Sequence, residues 1–188
     1  MATAAREVEG VTLPPAGTYE LDASHTEVGF VAKHLLTKVR GRFTEFSGTI
    51  EVGETPEDSR VEVDVKTGSV QTNFGQRDDH LKSADFFEID EHPEMTFRST
   101  AIRHTGGTSF ELDGDLTIRE ITKPITLTGE YLGTGTDPFG STFFSAEAKT
   151  TVEREDWDLT WNMALETGGL LVGKKVDLVI DVEAKLVS

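Results

Sequence analysis

The stretch Gln71–Phe97, reading QTNFGQRDDHLKSADFFEIDEHPEMTF, gathers the side chains best suited to chemistry. His80 follows Asp78 and Asp79, and Asp85, Glu88, Asp90 and Glu91 come soon after. An imidazole among carboxylates is the raw material of general acid–base catalysis. His25, His34, His80 and His92 raise a second possibility, a metal site. Their spacing speaks against it. No two are four apart, as ligands on one helix face would be, and His25 and His34, nine apart, fall on opposite sides of a regular strand. Both groups read more simply as hydrogen-bonded structural histidines and a solvated acidic face with a helix cap. No catalytic residue, metal or cofactor is assigned. The sequence also lacks a nucleophile elbow, a phosphate loop, a zincin helix and a dinucleotide fingerprint. Gly133-x-Gly135 has no helix behind it.

The elements that must position these residues are almost all strands. Val28, Phe30 and Ala32 alternate with polar neighbours and end near His34, and Val61, Val63 and Val65 do the same. Val39–Val52 changes parity between Phe43 and Phe46, which predicts a bulge or bend near Thr44–Glu45. Met95–Arg103 leads to a Gly106–Gly107 hairpin turn. Then follow a face of Phe110, Leu112, Gly114, Leu116 and Ile118, an Arg119–Pro124 turn, and strands about Ile125–Tyr131 and Phe144–Arg154. Val176–Leu186 is the last strand. Gln76–Ala84 breaks the pattern and predicts a short helix, opened by an Asn73/Gln76 capping box and burying Leu81, Ala84 and Phe87. Residues 1–16 read as a loose tail punctuated by Pro14–Pro15, and residues 17–188 as one domain. The fold class is therefore all-β: one antiparallel barrel of about eight strands with one short helix. Closure removes exposed edges from so many strands.

The chain has 188 residues, a formal net charge of −16 and no cysteine. That charge disfavours nucleic acid and anionic bilayers, which recruit basic patches. Neither a secretory leader nor a run long enough to span a membrane is visible, so the expected location is cytoplasmic. Gly48, Gly114, Gly129, Ala146, Ala148 and Ala184 occupy inward positions, and small inward residues are expected to leave the bore unfilled. Trp157–Val172, reading WDLTWNMALETGGLLV, is the second irregular segment. It reads either as a plug or as a hinged apolar lid over a pocket.

Several motifs, in order, resemble the YceI-like family of polyisoprenoid-binding, lipocalin-like barrels. They are Tyr19-x-Leu21-Asp22-x-x-His25, Phe30-x-x-Lys33-His34 and Gly41-x-Phe43-x-x-Phe46-x-Gly48. Asp79-His80-Leu81-Lys82-Ser83-x-Asp85-Phe86-Phe87 is the most specific, followed by His92-Pro93, Phe97, Gly114-x-Leu116-Thr117-Ile118 and Thr122-Lys123-Pro124-Ile125. Glu120-Ile121 departs from the Gly-Val usual before the last motif, which implies a different turn. The resemblance implies an elongated barrel holding one long apolar chain, an isoprenoid, an isoprenoid quinone or a fatty acid or amide. It implies binding, carriage or storage rather than catalysis, and pairing into homodimers. Many relatives are periplasmic.

On this reading the hydrophobic ligand is lined by Val28, Phe30, Phe43, Phe46, Ile50, Val63, His80, Leu81, Phe97, Leu112, Leu116, Phe144, Ala146, Leu178 and Ile180, with Trp161, Met163 and Leu165 above it. A polar head would meet His80, Arg77 or Lys82, with Asn162 or Lys174. Two other readings stand beside it: acid–base chemistry by His80 and Asp79 on a bound isoprenoid, and a filled, stress-responsive barrel acting through its surface.

Overall fold

The computed structural model describes residues 5–187. It opens with a hairpin, β1 (Arg6–Val8) and β2 (Val11–Leu13), then runs through β3 (Gly17–Leu21), β4 (Glu27–His34), β5 (Thr37–Phe43) and β6 (Phe46–Val52). β7 (Arg60–Lys66) and β8 (Val70–Gln71) precede α1 (Gly75–Lys82). β9 (Glu94–Gly106), β10 (Ser109–Ile118), β11 (Ile121–Thr136), β12 (Thr142–Glu153) and β13 (Val172–Leu186) complete the chain. β3 and β4 act as one bent stave, because β13 pairs with β4 from Val172 to Asp181 and with β3 from Ala184 to Leu186. β5–β6 and β7–β8 are bent staves too. With β9 to β13 they make a closed, antiparallel barrel of eight staves, sealed where β12 pairs with β13.

The predicted parity break after Phe43 is a true corner. β5 pairs with β4, whereas β6 pairs with β3 and β7, so residues 44–45 carry the chain across it. The predicted Arg119–Pro124 turn is tighter than expected. Arg119 and Glu120 both have positive φ (50° and 65°), the conformation of a two-residue hairpin turn, and β11 already begins at Ile121. Pro124 is tolerated inside β11 because the pairing with β12 starts only at Thr128, so its missing N–H faces no partner strand.

The loose tail is corrected over most of its length. Residues 1–4, like Ser188, lie outside the described residues, but 6–13 form a paired hairpin and Pro14 and Pro15 are buried. Glu9 and Gly10, both at positive φ, make its turn. At 8 residues, α1 is shorter than a free-standing helix would need to be. No side chain caps its first residue. Instead Asp78 Oδ1 accepts from the backbone N–H and the hydroxyl of Thr72, at 2.8 and 2.6 Å, which replaces the expected Asn73/Gln76 box. Leu81 faces inward and Phe87, beyond the helix, packs on the core, but Ala84 is exposed.

Two packed clusters hold the wall. Near α1, Phe43, Val65, Val70, Met95, Leu116, Ile118, Trp157 and Leu159 meet; near the other end, Tyr19, Ile50, Phe144 and Ala184 do. Trp157 Nε1 donates to Leu116 O (2.9 Å), so its large ring is buried without leaving its one donor unmet.

Candidate functional site

Alternation along the strands points one row of side chains into the barrel, and that row is hollow. A cavity of about 790 Å³ runs through the bore. This lies in the upper part of the roughly 300–1,000 Å³ range of small-molecule sites. Val28, Phe30, Val63, Phe97, Leu178 and Ile180 point into it yet are only partly buried, because their exposed surface faces the cavity rather than the outer solvent.

Of the small residues expected to leave space, Ala146 and Ala148 border the cavity, but the glycines do not open it. A Cβ on Gly41 would lie 2.2 Å from Phe30 Cζ, one on Gly114 2.3 Å from Phe97 Cζ, and one on Gly129 2.3 Å from Phe110 Cζ. Each ring lies across a glycine of the neighbouring strand and fills that space. The expectation of empty volume at the glycines is thus corrected: they let aromatic rings lie flat against the wall, and the void is the axial space the rings leave between them.

Of the expected lining residues, Val28, Phe30, Phe43, Ile50, Val63, His80, Leu81, Phe97, Leu112, Leu116, Phe144, Ala146, Trp161, Leu178 and Ile180 border the cavity. Three do not. Phe46 packs against the core cluster at the β5–β6 corner, where the stave changes neighbours. Met163 is 55% exposed, and Leu165 lies with it on an outward excursion of the chain. In that excursion Leu171 N donates to Met163 O at 3.0 Å and Leu165 N to Gly169 O at 3.1 Å, making a narrow loop folded on itself. It is not a strand laid over the bore, as the alternation from Leu159 to Leu165 suggests.

The excursion is anchored by a residue the sequence pattern did not single out. Arg154 is buried, and its guanidinium donates to the carbonyls of Gly173 (2.8 Å), Leu159, Trp161 (3.0 Å) and Val172 (3.4 Å). Burial pulls its pKa down, opposed by nearby Glu155. Asn162 completes the anchor, donating to Val172 O and accepting from Val172 N. Asn162 is therefore spent on backbone. Lys174 pairs with Glu155 at 3.0 Å, and neither Lys174 nor Lys82 borders the cavity. These three are corrected as head-group contacts. Arg77 and His80 do border it. Arg77 donates to the Thr72 hydroxyl and carbonyl at 2.7 and 2.9 Å.

His80 Nε2 lies 2.8 Å from Asp85 Oδ2, so within the acidic neighbourhood of His80 it is Asp85 that bonds the imidazole. The imidazole packs edge-on to Trp161 at 4.4 Å and Phe86 at 5.1 Å. All three rings line the cavity at its α1 end. The four histidines weighed for a metal do not converge. The group that does is Asp22, His25 and Glu183 on the outer wall, and there Lys185 Nζ sits 2.7 Å from Asp22 Oδ2, supplying the positive charge a cation would bring.

At the far end the cavity is bordered by Arg6, Val11, Leu13 and Pro14 of the N-terminal hairpin. Arg6 Nη2 donates to Gly53 O at 2.7 Å, and Nη1 bonds the carbonyl and carboxylate of Glu54. Its Nε is buried without an acceptor among the described residues. Tyr131 donates its hydroxyl to Thr12 O at 2.8 Å. Burial, with Tyr19 adding to it, holds the Tyr131 phenol up at about 12, so it remains a donor through the neutral range.

Fold and cavity together define a hollow antiparallel β-barrel with an apolar interior. The sequence model of the YceI-like domain matches residues 19–184, and the chain belongs to that family. It is 36% identical over 163 residues to a UPF0312 protein of Ectopseudomonas mendocina, covering 84% of this chain and 85% of the relative. Among solved structures, it is similar to BcnA of Burkholderia cenocepacia, with a TM-score of 0.77 at 18% identity, over 87% of this chain and 98% of the other. It is also similar to a polyisoprenoid binding domain from Saccharophagus degradans, implicated in plant cell wall breakdown (TM-score 0.68, 15% identity, 90% of this chain and 98% of that one). Both likenesses are of fold.

Proposed function

We propose that this barrel binds one elongated apolar molecule, an isoprenoid or fatty chain, along its bore and serves to carry or store it. The single observation behind this reading is the continuous apolar cavity from α1 to the N-terminal hairpin. Each methylene moved from water into such a space gains about 0.8 kcal/mol, so a long chain needs few polar contacts. The description of the Saccharophagus degradans neighbour as polyisoprenoid binding supports the same ligand class. A filled barrel acting only through its surface does not fit a bore of this volume.

The reading is of a binding protein without catalysis. His80 and Asp85 form a pair at the cavity edge, but the imidazole is clasped between Phe86 and Trp161.

Native mass spectrometry of the protein purified from cells tests this. A co-purified mass in the isoprenoid or fatty range supports it. Ala146→Trp, which fills the bore beside Phe144, is expected to remove that mass while the barrel stays folded by circular dichroism. Undiminished lipid content in the folded variant would overturn the reading, and release of a chemically altered ligand would convert it to an enzyme.

A further inference from the structure

The β1–β2 hairpin lies before the residues that match the family model, which begin at residue 19. It is a separate two-stranded sheet, with no ladder to any stave of the barrel. Two-stranded sheets of this size are marginal alone, so it must be held by what it rests on. It rests on the end of the bore. Val11 and Leu13 face the cavity while Thr12 between them is exposed. Arg6, opposite Leu13 in the hairpin, reaches the β6–β7 connection at Gly53 and Glu54. Tyr131 of β11 fastens Thr12 from the opposite side of the barrel. The hinge is stiff, because Pro14 and Pro15 are buried and Tyr19 donates to Pro15 O at 2.9 Å.

We propose that this hairpin is a stopper: it closes the end of the bore remote from α1 and sets the longest chain the barrel accepts. The inference rests on the reading of the bore as a site for apolar chains. A ligand shorter than the bore gains contacts with each added carbon. One long enough to reach Val11 and Leu13 gains nothing more unless the hairpin leaves.

The test is titration of a homologous series of linear saturated fatty acids into three proteins: the full chain, the chain lacking residues 1–13, and the full-length double variant Arg6→Gln/Tyr131→Phe. In the full chain, affinity is expected to rise about fourfold per added methylene and then level off at a limiting length. Without the hairpin the limit moves to longer fatty acids, while the short ones bind as before. The double variant moves the limit the same way by less, and it carries the test if the truncated chain does not fold. An unchanged limit in a folded variant, a uniform loss at all lengths, or a full chain with no limit overturns the stopper while leaving the lipid site standing. A full chain that takes up no fatty acid of any length overturns both.

Discussion

At the α1 end of the bore, Arg154 is buried among four backbone carbonyls and locks a sixteen-odd-residue excursion into the barrel's own core. At the opposite end, Arg6 of an appended hairpin is partly buried, with two backbone carbonyls and one exposed carboxylate as acceptors. Both arginines tie irregular chain to the barrel, yet their settings differ in kind. Of the Arg154 acceptors, the buried Leu159 carbonyl is left unmet if the guanidinium is removed, the Gly173 and Trp161 carbonyls are part-buried, and that of Val172 keeps its bond from Asn162. Around Arg6, both Glu54 acceptors are exposed and only the Gly53 carbonyl is part-buried. A buried acceptor left unmet loses about 1–3 kcal/mol, whereas an exposed one is rehydrated almost freely. One closure is therefore part of the fold, and the other is a fitting laid upon it.

Substitution at each end is the direct way to break that comparison. Arg154→Met should lower the free energy of unfolding by about 1–3 kcal/mol, since it strands the buried Leu159 carbonyl and loosens two part-buried ones. Urea titration checks this, and a loss below about 1 kcal/mol would mean the excursion holds itself. In the wall between the two ends, Gly114→Ala drives a Cβ into the Phe97 ring and toward Arg98 O, at 2.3 and 2.7 Å. It is expected to destabilise by about 1–3 kcal/mol, through overpacking rather than lost hydrogen bonds. Thermal melts with calorimetry will show whether the ring can yield. Tyr131→Phe should cost only about 1 kcal/mol, and only locally. Amide exchange of β1 and β2 should quicken while β9 to β13 keep their protection. If protection fell throughout the barrel, the hairpin would be integral to the fold and the contrast would fail.

The smallest effect belongs to the outer surface. Arg103 beside Asp113, helped by the Thr126 hydroxyl, holds the Asp113 carboxyl down at about 2. A depressed carboxylate stabilises the fold above its unfolded pKa and loses that contribution as pH falls through the folded one. For Asp113 the window runs from about pH 4 down to about pH 2. The drop in urea midpoint across it should be slightly shallower in Asp113→Asn. An unchanged slope would show that solvent screens the pair entirely.

Much of this was legible in the residues. The period-2 rows of β4, β7, β10 and β13 name their inward faces because one side of each strand is apolar and the other charged. The break at Gln71–Phe97 announced a helix, and α1 lies within two residues of the predicted limits. Other features were not legible, for separate reasons. Val11-Thr12-Leu13 is too short for its alternation to stand out, although Glu9-Gly10 between Val8 and Val11 was the available turn signal. Arg154 looked like an ordinary charged residue at a strand end, since nothing local says that four carbonyls will converge on it. Met163 and Leu165 kept strand parity with Trp161, but parity carries no information once the chain leaves a ladder.

The sequence by itself determined the long barrel strands, most of their inward faces and the family, because those follow from short-range alternation and from motifs read in order. Only the tertiary structure decided that the glycines seat neighbouring rings instead of leaving gaps, that Asp85 rather than Asp79 meets His80, and that the two ends of the bore close by unlike means. Each of those depends on which distant segments come within a few ångströms. Barrel closure sets that distance, and no local pattern encodes it.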